Sequence, residues 1–91
     1  MRTFSRTSQF KKDVKRAGKR GKDMAKLKAA LELLIDGVSL PAQFKDHPLR
    51  GNFAGSRDCH IEPDWLLIYT LTEKDSHVRF ERTGTHSDLF R

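Results

Sequence analysis

Arg57-Asp58-Cys59-His60-Ile61-Glu62-Pro63-Asp64-Trp65-Leu66-Leu67-Ile68-Tyr69-Thr70-Leu71-Thr72, followed by Glu73-Lys74-Asp75-Ser76 and His77-Val78-Arg79-Phe80-Glu81-Arg82, is the stretch that decides the fold. Residues 57–61 alternate, with Cys59 and Ile61 on one side and Asp58 and His60 on the other, as a half-buried strand requires. Glu62-Pro63-Asp64 is a turn signal. Residues 65–72 are apolar on both parities, which suits a central strand covered on both faces. After a second turn at 73–76, residues 77–82 alternate again, with Val78 and Phe80 on the apolar side. Links this short join antiparallel neighbours, so the stretch predicts a meander.

Working outward, Thr3, Phe4 and Thr7 allow a short strand over Arg2–Thr7. Ser5, Thr7 and Ser8 are each suited to cap a helix. Phe10, Val14 and Ala17 recur at helical spacing, predicting a first helix to about Gly18. Gly18-Lys19-Arg20-Gly21 reads as a joint. Asp23 then caps or opens a second helix, whose apolar stripe is Met24, Leu27, Leu31, Leu34 and Ile35. Gly37 is placed to end it. Residues 38–57 hold Pro41, Pro48, Gly51 and Gly55 and read mostly as loop, with a strand starting near Asn52 or Phe53. The expected architecture is α+β: an N-terminal α-hairpin packed on one face of a mainly antiparallel sheet. No linker divides the chain, so residues 1–91 read as one domain.

Composition narrows the function. Residues 1–28 hold 11 Lys/Arg against Asp13 and Asp23, a balance of +9; the remaining 63 residues hold 7 against 10 acidic groups, a balance of −3. Such polarity points to nucleic acid, an acidic protein or a membrane surface. No apolar run approaches the length of a membrane span. The basic N-terminus lacks the apolar segment of a secretory signal, so a cytoplasmic location is expected. One cysteine excludes a disulfide framework within the chain and a four-cysteine zinc site. On the first predicted helix, Lys11, Lys15 and Lys19 are spaced i, i+4, i+8, with Lys12, Arg16 and Arg20 alongside, interrupted only by Asp13. Clustering of one sign favours a polyanion as partner.

Four histidines are available: His47 and His86 in loop-like contexts, His60 on the polar parity of its strand, and His77 at a strand start. No H-x-x-x-H or H-x-x-E-H spacing exists, so no metal and no cofactor is expected. Cys59 and His60 are adjacent in a strand and face opposite sides, which disfavours a Cys–His nucleophile pair. Metal-free RNA cleavage needs a base for the ribose 2′-hydroxyl, an acid for the departing 5′-oxygen, and a cation on the phosphate. Histidine suits both proton roles, because its free pKa of about 6.5 lies near working pH. Asp64 fits either as base or as the group orienting a histidine; Arg82 or Arg79 fits the phosphate. Trp65 and Phe90 offer stacking faces, although a Trp in a central strand is also a core residue.

Three motifs carry a resemblance. Lys45-Asp46-His47-Pro48-Leu49, Arg57-Asp58-Cys59-His60-Ile61-Glu62-Pro63-Asp64-Trp65 and Arg79-Phe80-Glu81-Arg82-Thr83-Gly84-Thr85-His86 closely resemble the YafQ branch of the RelE/ParE toxin superfamily. Lys22-Asp23-Met24 with Lys26-Leu27-Lys28 resembles its second helix, and the match runs in order along nearly the whole chain. The resemblance implies a RelE-like, microbial-ribonuclease-type fold with a curved sheet. It implies the toxin of a type II toxin–antitoxin system: a ribosome-dependent endonuclease that cuts mRNA in the ribosomal A site and inhibits translation. The implied chemistry is attack by the 2′-hydroxyl, leaving a 3′- or cyclic phosphate and a 5′-hydroxyl, with no metal. Implied partners are a cognate, DinJ-like antitoxin and the ribosome with its mRNA and rRNA; DNA is met only through the antitoxin, and no membrane is involved.

Carried over position by position, His47, His60, Asp64 and His86 match catalytic residues, Arg82 matches a phosphate contact, and Trp65 and Phe90 match residues near the site. His86, as a mobile loop residue, is expected to be the general acid. Asp64 or His60 would be the base, with His47 assisting or binding phosphate. Lys11, Lys12, Lys15, Arg16, Lys19 and Arg20 would then hold rRNA. Arg82 shares the core-facing parity of Val78 and Phe80, which requires a twist or bulge to bring it to the substrate. The alternative is a non-catalytic member that poisons a protein such as DNA gyrase, as the ParE branch does; such a binder has no need of three histidines. A generic nucleic-acid-binding domain explains the charge but not the histidines.

Overall fold

The computed structural model describes residues 1–90. In chain order the elements are β1 (Thr3–Arg6), α1 (Ser8–Lys19), α2 (Met24–Asp36), β2 (His47–Pro48), β3 (Arg57–Glu62), β4 (Trp65–Thr72), β5 (His77–Gly84) and α3 (His86–Leu89), with single 3-10 turns at Ala42–Phe44 and Gly51–Phe53. The five strands form one sheet in the order β1-β5-β4-β3-β2. Among the described residues only the β1–β5 pair is parallel. The meander, the α-hairpin and the mainly antiparallel sheet match the expectation.

Local chemistry explains the helices. The Thr7 side chain accepts from Phe10 N–H and caps α1, and Asp23 accepts from Ala25 N–H and caps α2. Gly37 ends α2 at φ +76°, a left-handed conformation that costs glycine nothing. The two helices cover one face of the sheet. There Phe10, Ala17, Leu27, Ala30 and Leu34 pack on Cys59, Trp65, Leu67, Tyr69, Val78 and Phe80. The opposite face has a smaller apolar cluster of Leu66, Ile68 and Leu89 with Leu49 and Phe53 against it. β4 is therefore buried on both sides, as its uninterrupted apolar run predicted.

Three local expectations are corrected. The segment at Asn52 and Phe53 is a 3-10 turn, and the extra strand is β2 instead, so His47 lies on a strand rather than in a loop. A two-residue strand containing proline leaves no alternation to read, and Pro48 is tolerated because β2 is an edge. The segment after β5 is not a free tail, because Thr85 and Asp88 close a capping box around α3. His86 is thus the first residue of a capped helix rather than a mobile loop residue.

The third correction concerns the α1 stripe. Its buried residues are Phe10, Asp13 and Ala17, with Val14 only half-buried. At about 100° per residue, Arg16 and Arg20 then fall at the edge of the buried face rather than with the lysines. Arg16 pairs with Asp13 at 3.1 Å, and Arg20 with Asp88 at 2.7 Å. Lys11, Lys12, Lys15 and Lys19 are exposed, and among the described residues none of them is in an ion pair.

Candidate active site

The face of the sheet away from α1 and α2 gathers the titratable groups. Register explains why. His47, Asp58, Ile68 and Arg82 are partners across β2, β3, β4 and β5, and His60 follows Asp58 by two residues on the same face of β3. Arg82 reaches this face because the β4–β5 register shifts between Ile68 and Tyr69. Tyr69 pairs with Phe80 and Ile68 with Arg82, which leaves Glu81 as the extra residue and reverses the parity of everything after it. The bulge resolves the parity conflict in the sequence.

The rings form a line. His47 and His60 have centroids 6.2 Å apart, His60 and His86 5.8 Å, and His86 and Phe90 6.4 Å. Phe53 meets Phe90 edge-on at 5.7 Å. Phe90 is 40% exposed, so it presents a face to solvent beside the histidines.

Each histidine is held differently. His86 Nδ1 lies 2.6 Å from Asp64 Oδ1, which also accepts from the His86 backbone N–H at 2.9 Å. A carboxylate only accepts, so Nδ1 carries the proton and Nε2 is left for chemistry. The backbone N–H and then the ring of His86 hold the Asp64 carboxyl below its ordinary range. Asp64 is thereby an orienting group for His86. His47 Nδ1 donates to the Lys45 carbonyl at 2.7 Å, which again leaves Nε2 outward. The loop before it is anchored by Asp46, which accepts from the Tyr69 hydroxyl and from both Arg57 Nε and Nη2. His77, the fourth histidine, uses both nitrogens on Thr3 and Ser5 and fastens β1.

Trp65 does not belong to this face. It is 1% exposed in the helix-covered core, with its indole N–H donated to Thr83 Oγ1 at 3.0 Å. The sequence expectation that it contacts substrate is therefore corrected; its size and its position on β4 make it a core residue. Cys59 is also buried on the helix side, where burial pushes its thiol up to about 12, far from a nucleophile's range. Among the described residues no His/Cys/Asp/Glu group has the arrangement of a metal site.

A family model for the YafQ bacterial toxin of type II toxin–antitoxin systems matches residues 2–91. The chain belongs to the YafQ toxin family. It is 57% identical over 90 residues to the mRNA interferase toxin YafQ of Escherichia coli K12, covering 98% of this chain and 96% of that one. Its structure matches the crystal structure of YafQ from Escherichia coli BL21(DE3) with a TM-score of 0.93 and 53% identity over the full length of both. A chain of the Escherichia coli DinJ–YafQ complex gives 0.91 and 54%, again over both full lengths.

Two carboxylates of this YafQ-family chain were missed in the sequence. Asp13 is 1% exposed and accepts from Gln9, Arg16, Arg82 and the Thr83 backbone N–H. It takes Arg82 Nε at 2.7 Å and Nη2 at 3.2 Å, which fixes the guanidinium and leaves Nη1 for a substrate anion. The signal was present: Asp13 falls between Phe10 and Ala17 at helical spacing. Asp58 is the second. It shares the parity of His60, and its side chain is buried between histidines. Beside Arg82 a concavity of about 360 Å³ is lined by Thr7, Gln9, Asn52, Phe53, Ala54 and Ser56; another of about 340 Å³ flanks His60, lined by Gln43, Phe44 and Lys45.

Proposed function

We propose that this chain, as one domain of residues 1–91, is an mRNA interferase that cuts ribosome-bound mRNA in the A site by 2′-hydroxyl attack. The observation that carries this reading is the line His47–His60–His86, with His86 oriented by Asp64 and Arg82 tethered at the same face. Because Asp64 is committed to His86, the base falls to His60, within hydrogen-bond reach of a 2′-hydroxyl seated over the rings. His86 Nε2 donates its proton to the departing 5′-oxygen, and Asp64 stabilises the charged ring before transfer. His47, doubly protonated when phosphate is bound, donates Nε2–H, and Arg82 donates Nη1–H, to the phosphate oxygens on which charge builds. Phe90, backed edge-on by Phe53, stacks on a base of the codon.

The exposed Lys11, Lys12, Lys15 and Lys19 dock on rRNA, which puts the toxin in the cytoplasm with the ribosome. No helix of the described residues is long and apolar enough to cross a membrane. A cognate antitoxin, as in the DinJ–YafQ complex of the Escherichia coli relative, restrains the toxin until it is needed.

Primer-extension mapping of an mRNA translated in a purified system tests the reading, with wild type and His86→Gln side by side. Ribosome-dependent cuts that vanish with His86→Gln are expected. Cuts unchanged by His86→Gln would remove His86 from the chemistry. No cuts from folded, antitoxin-free wild type would overturn the interferase reading and turn attention to gyrase.

A further inference from the structure

Asp58 is a buried carboxylate on the sheet face that carries the histidines. Its residue is 3% exposed, and its Oδ1 is buried with no hydrogen-bond partner. Buried polar atoms are nearly always paired, because an unpaired one forfeits its hydration without return. A carboxylate kept only for folding would be paired, as Asp13 is, four times over in residues. Asp58 instead points into the ring line. Its Oδ1 lies 3.4 Å from His47 Nδ1 and 3.9 Å from His60 Nε2. Its strand partner on the other side is Ile68, which offers no polar atom to compete.

The charged groups around it are few. His47 comes from β2, His60 from β3 itself and His86 from α3, and each favours the ionised carboxylate. Asp46, from the loop before β2, opposes it. Burial outweighs these and pushes the Asp58 carboxyl above its ordinary range. The carboxylate is therefore more easily neutralised than a surface aspartate. Its charge and that of the rings stabilise each other, as coupled sites do.

Resting on the interferase reading above, we propose that Asp58 is a positioning residue for cleavage: its buried carboxylate, whose Oδ1 faces both rings without a hydrogen bond of its own, sets the orientation and charge of His47 and His60. It touches no substrate atom. His47 Nδ1–H, already donating to Lys45, is drawn between that carbonyl and Asp58, which turns Nε2 outward. His60, which turns Nε2 toward Asp58, is held with that edge inward, and its Nδ1 is the nitrogen left for the 2′-hydroxyl. A proton taken up by His60 during attack is stabilised by the negative charge beneath it, without any change of position.

The test compares wild type with the isosteric Asp58→Asn in single-turnover cleavage on programmed ribosomes from about pH 5 to 8. Cleavage by Asp58→Asn is expected to be about 10–100-fold slower near neutral pH, the usual cost of losing an outer partner of a functional histidine. Ribosome affinity stays unchanged, and the melting temperature is unchanged or higher. The ratio of the two rates shrinks as pH falls, because a protonated Asp58 and an asparagine carry the same charge. A purely structural role would give a ratio independent of pH, and that outcome, or equal rates throughout, overturns the proposal. If wild type fails to cleave at all, the interferase reading fails instead. A second measurement needs no Asp58 variant: carbon-13 carboxyl titration of Asp58 in wild type and in His47→Gln. The midpoint is expected to rise when His47 is removed, and an unmoved midpoint contradicts the coupling whatever the activity.

Discussion

Asp13→Ala tests whether the buried carboxylate of α1 organises the phosphate-binding arginine. The change removes a side chain that accepts five hydrogen bonds while 1% exposed. The buried Thr83 N–H loses its acceptor, at about 1–3 kcal/mol. Arg82 has a side chain 25% exposed and recovers part of its hydration, so its lost pairing counts about 1–2 kcal/mol rather than the larger cost of a fully buried pair. Arg16 is more than a third exposed, and its pairing adds about 0–1 kcal/mol. Alanine returns about 0.5 kcal/mol of helix propensity. The net loss centres on about 3 kcal/mol, which for a domain of this size lowers Tm by about 12–24 °C. Circular dichroism melting and urea unfolding give the number. Asp13→Asn retains one carbonyl acceptor and should lose about half as much. It should still cleave more slowly at temperatures where it is fully folded, because Arg82 is no longer clamped by a charge. An Asp13→Ala protein within about 1 kcal/mol of wild type would refute the reasoning and leave Arg82 held by something else.

Other consequences follow from the α3 anchor and the basic helix. A Cβ on Gly84 would lie 2.8 Å from Asp88 Oδ2 and 3.0 Å from Asp88 Cβ, so Gly84→Ala should displace α3, lowering cleavage more than stability as His86 leaves Asp64. Arg20, then the Thr85 backbone N–H, hold the Asp88 carboxyl far below its ordinary range. Its stabilisation is thus present at neutral pH and lost as pH falls from about 3.9 toward the folded value. Asp88→Asn should melt lower than wild type at pH 7, with the gap narrowing as pH falls below about 4; a gap as wide at about pH 2 as at pH 7 would contradict the pairing. Replacing Lys11, Lys15 and Lys19 by Gln should flatten the salt dependence of ribosome binding by about two to three counterions without changing Tm. An unchanged slope would show that this stripe does not dock.

The strands and helices were legible where one pattern dominated. The apolar run of β4 and the alternation of β3 identified the sheet's centre, and Asp23 and Gly37 marked the ends of α2. The α1 face was read about a tenth of a turn off, because Val14 was taken as core and Asp13 as an interruption. A charged residue at a core position contradicts hydrophobic patterning, and here it is buried because Arg82 comes from β5 to meet it. The bulge at Glu81 leaves no mark in the sequence beyond the misplaced parity of Arg82 itself. His86 was read as mobile because a four-residue helix is too short for periodicity, although Thr85 and Asp88 already spell a cap. Asp58 was hidden by its neighbours: alternation put it beside His60, but only the β2 register brings His47 over it.

The most direct test of the central claim places a 2′-deoxynucleotide immediately 5′ to the scissile phosphate of an A-site codon. The modified mRNA is presented to wild-type toxin on programmed ribosomes. With the nucleophile removed, the account predicts no cleavage at that position, while toxin binding to the ribosome and cutting of the all-ribose control persist. Cleavage of the deoxy-substituted mRNA at the same bond would contradict attack by the 2′-hydroxyl, and with it the roles given to His60, His86 and Arg82.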